Sequence, residues 1–116
     1  MPVYTIYHNP RCSKSRQTLQ LLKDNGIEPE VVLYLETPPN ANQLKNLLKK
    51  LDIPARQLLR KGEQDYKDLG LADQNLTDEQ LIDAMLKAPK LIERPIVEKG
   101  DKAILGRPPE NALELI

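Results

Sequence analysis

The first thirty-four residues carry the pattern that most restricts the fold. Val3-Tyr4-Thr5-Ile6-Tyr7 is β-branched and aromatic, short, and stopped by Asn9-Pro10, which predicts a buried strand. Thr18, Leu19, Leu21 and Leu22 then give an apolar face to a helix over Ser15–Asn25, with Gly26 placed to end it in the left-handed conformation. Glu30–Tyr34 reads as a second strand. Strand, helix and strand joined by short links form a βαβ unit, so the two strands are expected to run parallel with a right-handed crossover.

The rest of the chain changes character twice. Thr37-Pro38-Pro39-Asn40 is a breaker, and from there to about residue 88 only helical periodicity is present. Leu44, Leu47, Leu48 and Leu51 fall at i, i+3, i+4 and i+7, with Asn42 as a candidate cap. Pro54 restarts a short helix through Leu59. Thr77-Asp78-Glu79-Gln80 matches a capping box ahead of Leu81, Ile82, Met85 and Leu86, and Pro89 stops that helix. Ile96–Lys99 and Lys102–Leu105, joined by Gly100-Asp101, read as an antiparallel hairpin, and Gly106-Arg107-Pro108-Pro109 leads into a final short helix to Ile116. The expectation is an α/β fold over 1–116, a single domain with a mixed sheet of about four strands and an all-helical insertion at about 37–88.

Charge and composition remove several classes of function. The 17 basic and 17 acidic residues cancel, so nothing draws the chain onto nucleic acid or anionic lipid at long range. Phe and Trp are absent and Tyr occurs four times, which leaves little to stack on bases. No stretch approaches the ~20 apolar residues of a membrane span. One Cys and one His fall short of the three or four ligands of a zinc centre, so no metal is expected. A lone cysteine forms no internal disulfide, which fits a reducing compartment and a cytoplasmic location.

That cysteine, Cys12, lies in the expected turn between the first strand and the first helix. His8, Arg11, Lys14 and Arg16 surround it in sequence, and the first acidic residue is Asp24. Cationic neighbours and a helix N-terminus both favour thiolate over thiol, which predicts a reactive sulfur. A protonated His8 would add to that effect. Ser15 stands where a Cys-x-x-Cys pair has its second sulfur, so an intermediate on Cys12 must be cleared by an outside thiol such as glutathione.

Arg60, Arg94 and Arg107 each border an expected element. A guanidinium suits a tetrahedral oxyanion, and each such pair at ~4 Å is worth about 4 kcal/mol at an effective dielectric of 20, before desolvation. Pro95 precedes the third strand, where an X-Pro bond is able to be cis.

The set His8-Asn9-Pro10-x-Cys12 with Ser15-Arg16, Leu33-Tyr34-Leu35-Glu36, Leu58-Leu59-Arg60-Lys61, Leu69-Gly70-Leu71, Glu93-Arg94-Pro95-Ile96-Val97 and Gly106-Arg107-Pro108 resembles the glutaredoxin-dependent arsenate reductase family of the thioredoxin-like superfamily. The resemblance implies a thioredoxin-like sheet, Cys12 as nucleophile, and His8 as an aid to its ionisation. It also implies Arg60, Arg94 and Arg107 around the oxyanion, with Pro95 as a cis proline beside them. The implied partners are arsenate or a similar oxyanion, glutathione as reducing co-substrate and glutaredoxin, with no bound cofactor and a role in arsenic detoxification. Two alternatives use the same fold: a glutathione-dependent thiol oxidoreductase of other substrate, and a regulator that binds RNA polymerase. Three arginines favour the oxyanion enzyme over the first. Ser15 in place of a second cysteine speaks against the second.

Overall fold

The computed structural model describes residues 3–116, so the first two residues of the expected 1–116 domain lie outside the described residues. The chain divides into two compact units, one formed by residues up to Thr37 together with Arg94–Ile116, the other by Pro38–Glu93.

The first unit contains strands β1 (Tyr4–Tyr7), β2 (Glu30–Val32), β3 (Ile96–Lys99) and β4 (Lys102–Leu105). They form one mixed sheet in the order β2-β1-β3-β4. β1 and β2 are parallel, as the βαβ reading requires, with Ile6 opposite Val31. β3 runs antiparallel to β1, with Tyr7 opposite Ile96, and β4 antiparallel to β3, with Ile96 opposite Leu105. This is the thioredoxin-like arrangement expected of the chain. Helix α1 (Ser13–Asp24) crosses between β1 and β2 and ends at Gly26, whose φ of +78° lets Ile27 N–H reach back to Leu22 O at 3.0 Å.

Ile6, Leu22, Val97, Ala112 and Leu115 form the buried cluster of this unit. Its members come from β1, α1, β3 and the C-terminal segment, so sheet, helix and chain end share one core. Truncating Leu22, which is wholly buried, to Ala would cost about 2–5 kcal/mol.

The second unit is helical: α2 (Ala41–Leu51), α3 (Ala55–Leu58), α4 (Gln64–Asp68) and α5 (Asp78–Lys87), followed by a 3-10 turn at Pro89–Leu91. Leu44, Leu47 and Leu48 of α2 and Leu81, Ile82 and Met85 of α5 are its buried faces. The Thr77 capping box is present with Gln80. The cap of α2 is Asn40, in a second capping box with Gln43, and not Asn42, which is exposed inside the helix. This unit runs past residue 88 to Glu93, because Leu59 and Ile92 pair in an isolated β-bridge and Glu93 N–H donates to Leu58 O at 2.8 Å.

Other boundaries also shift. α1 begins at Ser13 instead of Ser15, β2 stops at Val32 instead of Tyr34, and Val3 stays outside β1. The C-terminal helix is a 3-10 segment, Pro109–Leu115.

Candidate active site

The sheet register brings distant parts of the sequence to one end of the first unit. β1 points its C-terminal end toward the Cys12 loop. β3 starts opposite that end, which puts Arg94 and Pro95 there, and β4 finishes opposite the start of β3, which puts Gly106 and Arg107 there as well.

Hydrogen bonds knit these three crossings together. Gly106 N–H donates to Pro95 O at 2.9 Å, and Arg107 Nη1 donates to Arg94 O at 3.4 Å. The Thr18 hydroxyl of α1 lies 2.8 Å from Lys14 O and 3.2 Å from Gly106 O, sharing its single proton between them. A Cβ on Gly106 would fall 2.7 Å from Thr18 Oγ1 and 2.9 Å from both Thr18 Cγ2 and Pro95 Cγ, so only glycine fits. The Arg94–Pro95 and Arg107–Pro108 bonds are both cis.

Cys12 is the N-cap residue of the 12-residue helix α1, with φ −94° and ψ 122°, and is partly exposed. Helix peptide dipoles place positive potential at this end, and the first turn contains no acidic residue to oppose it. Arg11, Lys14 and Arg16 are exposed around the loop, and Arg16 Nη1 bonds Pro10 O at 2.9 Å. The loop itself is fixed: Cys12 N–H donates to Asn9 O at 3.0 Å, and Arg11 N–H donates to Asn9 Oδ1 at 3.0 Å.

Ser15 is completely buried, and its Oγ accepts from Asn9 N–H at 3.0 Å while lying 2.6 Å from His8 Nδ1. With the Asn9 amide as donor, the Ser15 proton points to His8 Nδ1 when the ring carries its own proton on Nε2. His8 is buried, and burial first, then the charges of Arg16 and Lys23, push its pKa below the ordinary histidine value. Each of these influences favours the neutral ring over the imidazolium. Through its 2.6 Å contact with Ser15 Oγ, His8 ties the loop to the first turn of α1.

The arginines differ in their surroundings. Arg94 is half-buried, with Nε and Nη1 shielded from solvent, and Arg107 is exposed. Arg60 belongs to the second unit, where it forms a short hydrogen-bonded pair with Glu63 and a wider one with Glu93, Nε to Oε1 at 3.6 Å. An oxyanion at Arg60 must compete with two carboxylates. Sequence reasoning missed Thr18 and Gly106 as site supports. The pre-proline position of Arg107 was visible, but the contact that makes Gly106 necessary depends on a helix 88 residues away.

Among the described residues no group of three His, Cys, Asp or Glu side chains is placed to hold a metal ion. None of the described helices is long and apolar enough to cross a membrane.

The pattern of the ArsC family matches residues 7–115. The chain is 62% identical over 112 residues to the uncharacterised protein YfgD of Escherichia coli K12, covering 96% of this chain and 94% of that protein. It is 50% identical to an arsenate reductase of Escherichia coli, over 97% of this chain and 79% of the enzyme. The structure of arsenate reductase from Vibrio cholerae superposes with a TM-score of 0.96 at 49% identity, covering 99% of this chain and 98% of that one. A thioredoxin-like sheet with one cysteine at a helix start, and a family pattern that runs from the end of β1 to the last turn, together establish that the chain belongs to the ArsC family.

Proposed function

We propose that this protein reduces arsenate to arsenite, with Cys12 as nucleophile and glutathione and glutaredoxin as the source of electrons. The observation that carries the reading is the single, partly exposed sulfur at the positive end of α1, in a loop without acidic residues. Relatives named arsenate reductases, at about half identity over almost the whole chain, support the choice of oxyanion.

The Cys12 thiolate attacks arsenic(V), and one arsenate oxygen leaves as water, so that a sulfur–arsenic bond replaces an oxygen–arsenic bond. Glutathione thiolate then attacks the Cys12 sulfur. The sulfur–arsenic bond breaks with its electron pair going to arsenic, which leaves as arsenite, and Cys12 is left in a mixed disulfide with glutathione. Arsenic has gained two electrons and the two sulfurs have lost them. Glutaredoxin takes the glutathionyl group by thiol–disulfide exchange and returns Cys12 as thiolate. Ser15 in place of a second sulfur makes the outside thiols necessary.

Arg94 and Arg107 are the oxyanion ligands in this reading, with Arg60 as a third on the strength of the family resemblance. Guanidinium groups match the geometry of a tetrahedral oxyanion and offset the charge that accumulates as thiolate meets anion. His8 and Ser15 act as positioning residues for the loop, with Pro95 beside them. A free cysteine fits a reducing compartment such as the cytoplasm.

The test is an assay coupling arsenate reduction to NADPH oxidation through glutathione reductase, with glutathione and glutaredoxin, comparing the natural protein with Cys12→Ser. Arsenate-dependent turnover by the natural protein alone is the expected result. Equal rates for both proteins would overturn the proposal.

A further inference from the structure

With one thiol in the chain, anything attached to Cys12 has to be removed by a thiol from outside, and that thiol needs a place beside the loop. Within the sheet-bearing unit, His8, Asn9, Pro10 and Arg11 form one wall of a cleft of about 310 Å³, and Leu33, Leu35 and Glu36 form the other. This is the lower end of the ~300–1,000 Å³ typical of small-molecule sites.

The first wall is continuous with the nucleophile. Arg11 is the chain neighbour of Cys12, and Cys12 N–H donates to Asn9 O at 3.0 Å, so a ligand in the cleft lies against the segment that holds the sulfur. The wall is held by hydrogen bonds from Arg11 N–H to Asn9 Oδ1 and from Asn9 N–H to buried Ser15. The opposite wall is equally fixed, because Glu36 N–H and Thr37 N–H both donate to Leu33 O at 2.9 Å. Tyr34 is buried within that turn, while Leu35 is 38% exposed and Glu36 is exposed. A second recess of about 320 Å³, along the end of β2, shares Leu33 and Glu36 with the first and lengthens the groove.

The lining has a definite chemistry. Arg11 places a cation on the wall next to Cys12, Glu36 places an anion on the opposite wall, and the leucines are apolar between them. A plain monothiol has no use for both charges. A short peptide thiol with a free carboxylate and a free ammonium does.

We propose that this cleft holds the reducing co-substrate as a small zwitterionic peptide thiol, with its carboxylate at Arg11, its ammonium at Glu36 and its chain on Leu33 and Leu35. The inference rests on the thiol step of the proposed function but not on arsenate as the oxyanion.

The test is a titration of the reduced natural protein with S-methylglutathione, which has the charges of glutathione but no reactive thiol, followed by backbone amide chemical shifts in the absence of arsenate. Saturable shifts concentrated at Asn9, Arg11 and Leu33–Glu36 are expected. Arg11→Glu and Glu36→Lys should each weaken binding by roughly three- to ten-fold, as expected when a favourable exposed charge contact is replaced by repulsion. Both positions are exposed, and the same spectra report whether each variant is folded. Shifts that do not saturate, that concentrate away from both walls, or that leave both variants with the natural affinity would overturn the cleft assignment. Because arsenate is absent, that failure is distinct from equal coupled-assay rates for the natural protein and Cys12→Ser, which would remove the arsenate reading and leave the cleft standing.

Discussion

Gly106→Ala tests whether the three chain crossings at the active-site end form one interlocked unit. The added methyl would sit 2.7–2.9 Å from Thr18 Oγ1, Thr18 Cγ2 and Pro95 Cγ. None of these is the free end of a flexible side chain: Thr18 is buried in α1, and Pro95 is a buried ring at the start of β3. Relief therefore requires α1 and the β4 end to separate. Overpacking of this kind costs about 1–3 kcal/mol. The hydrogen bonds from Thr18 to Gly106 O and from Gly106 N–H to Pro95 O are strained by the same movement, at about 0.5–1.5 kcal/mol each if lost. A total of roughly 2–4 kcal/mol follows from adding these ranges with partial loss of the hydrogen bonds. The assay is urea denaturation of the natural protein, Gly106→Ala, Thr18→Ala and the double variant. Thr18→Ala removes two of the three colliding atoms, so Gly106→Ala should cost about 1 kcal/mol less in the Thr18→Ala background than alone. A Gly106→Ala protein within about 0.5 kcal/mol of the natural one, or a cycle additive within that margin, would refute the interlocking argument.

Acid should weaken the fold through His8. Its folded pKa lies below the unfolded value of about 6.5, so the unfolded chain binds more protons between the two values and stability is lost as pH falls from about 6.5 toward the depressed folded pKa. Urea midpoints measured at about pH 7 and about pH 5.5 should fall less in His8→Gln than in the natural protein, and an unchanged difference would refute this. Arg94→Ala should raise the arsenate requirement by about ten- to a hundred-fold, the equivalent of a hydrogen bond to a charged group, while alkylation of Cys12 by neutral iodoacetamide changes little. Equal losses in both would indicate a folding defect.

The elements whose faces are buried were legible before the structure. Leu44, Leu47 and Leu48 marked α2 by their spacing, the Thr77 box marked the start of α5, and Ile6 and Val97 marked the central strands. Helix α4 escaped because it buries none of its residues and so leaves no periodic signal. The start of α1 was placed two residues late for a similar reason, since Ser13 and Lys14 are exposed and only Ser15 begins the buried face. Leu33-Tyr34 looks like strand because it continues the apolar run, but the turn bonds to Leu33 O take it out of the ladder after Val32. At the site, composition identified Cys12 and its basic surroundings. The direction of the shift at His8 was not legible there, because burial and the positions of Arg16 and Lys23 in space set it. The grouping of Arg94 and Arg107 followed from the hairpin register, which sequence alone left as an expectation.

A helix that opens on cysteine gives up something that serine would supply. Cys12 makes no side-chain hydrogen bond to the first turn of α1, whereas a serine hydroxyl at the same backbone angles reaches those amides and is worth about 1 kcal/mol. Cys12→Ser should therefore melt later than the natural protein. On the proposed reading, the sulfur at this cap is retained for its nucleophilicity at the expense of the fold.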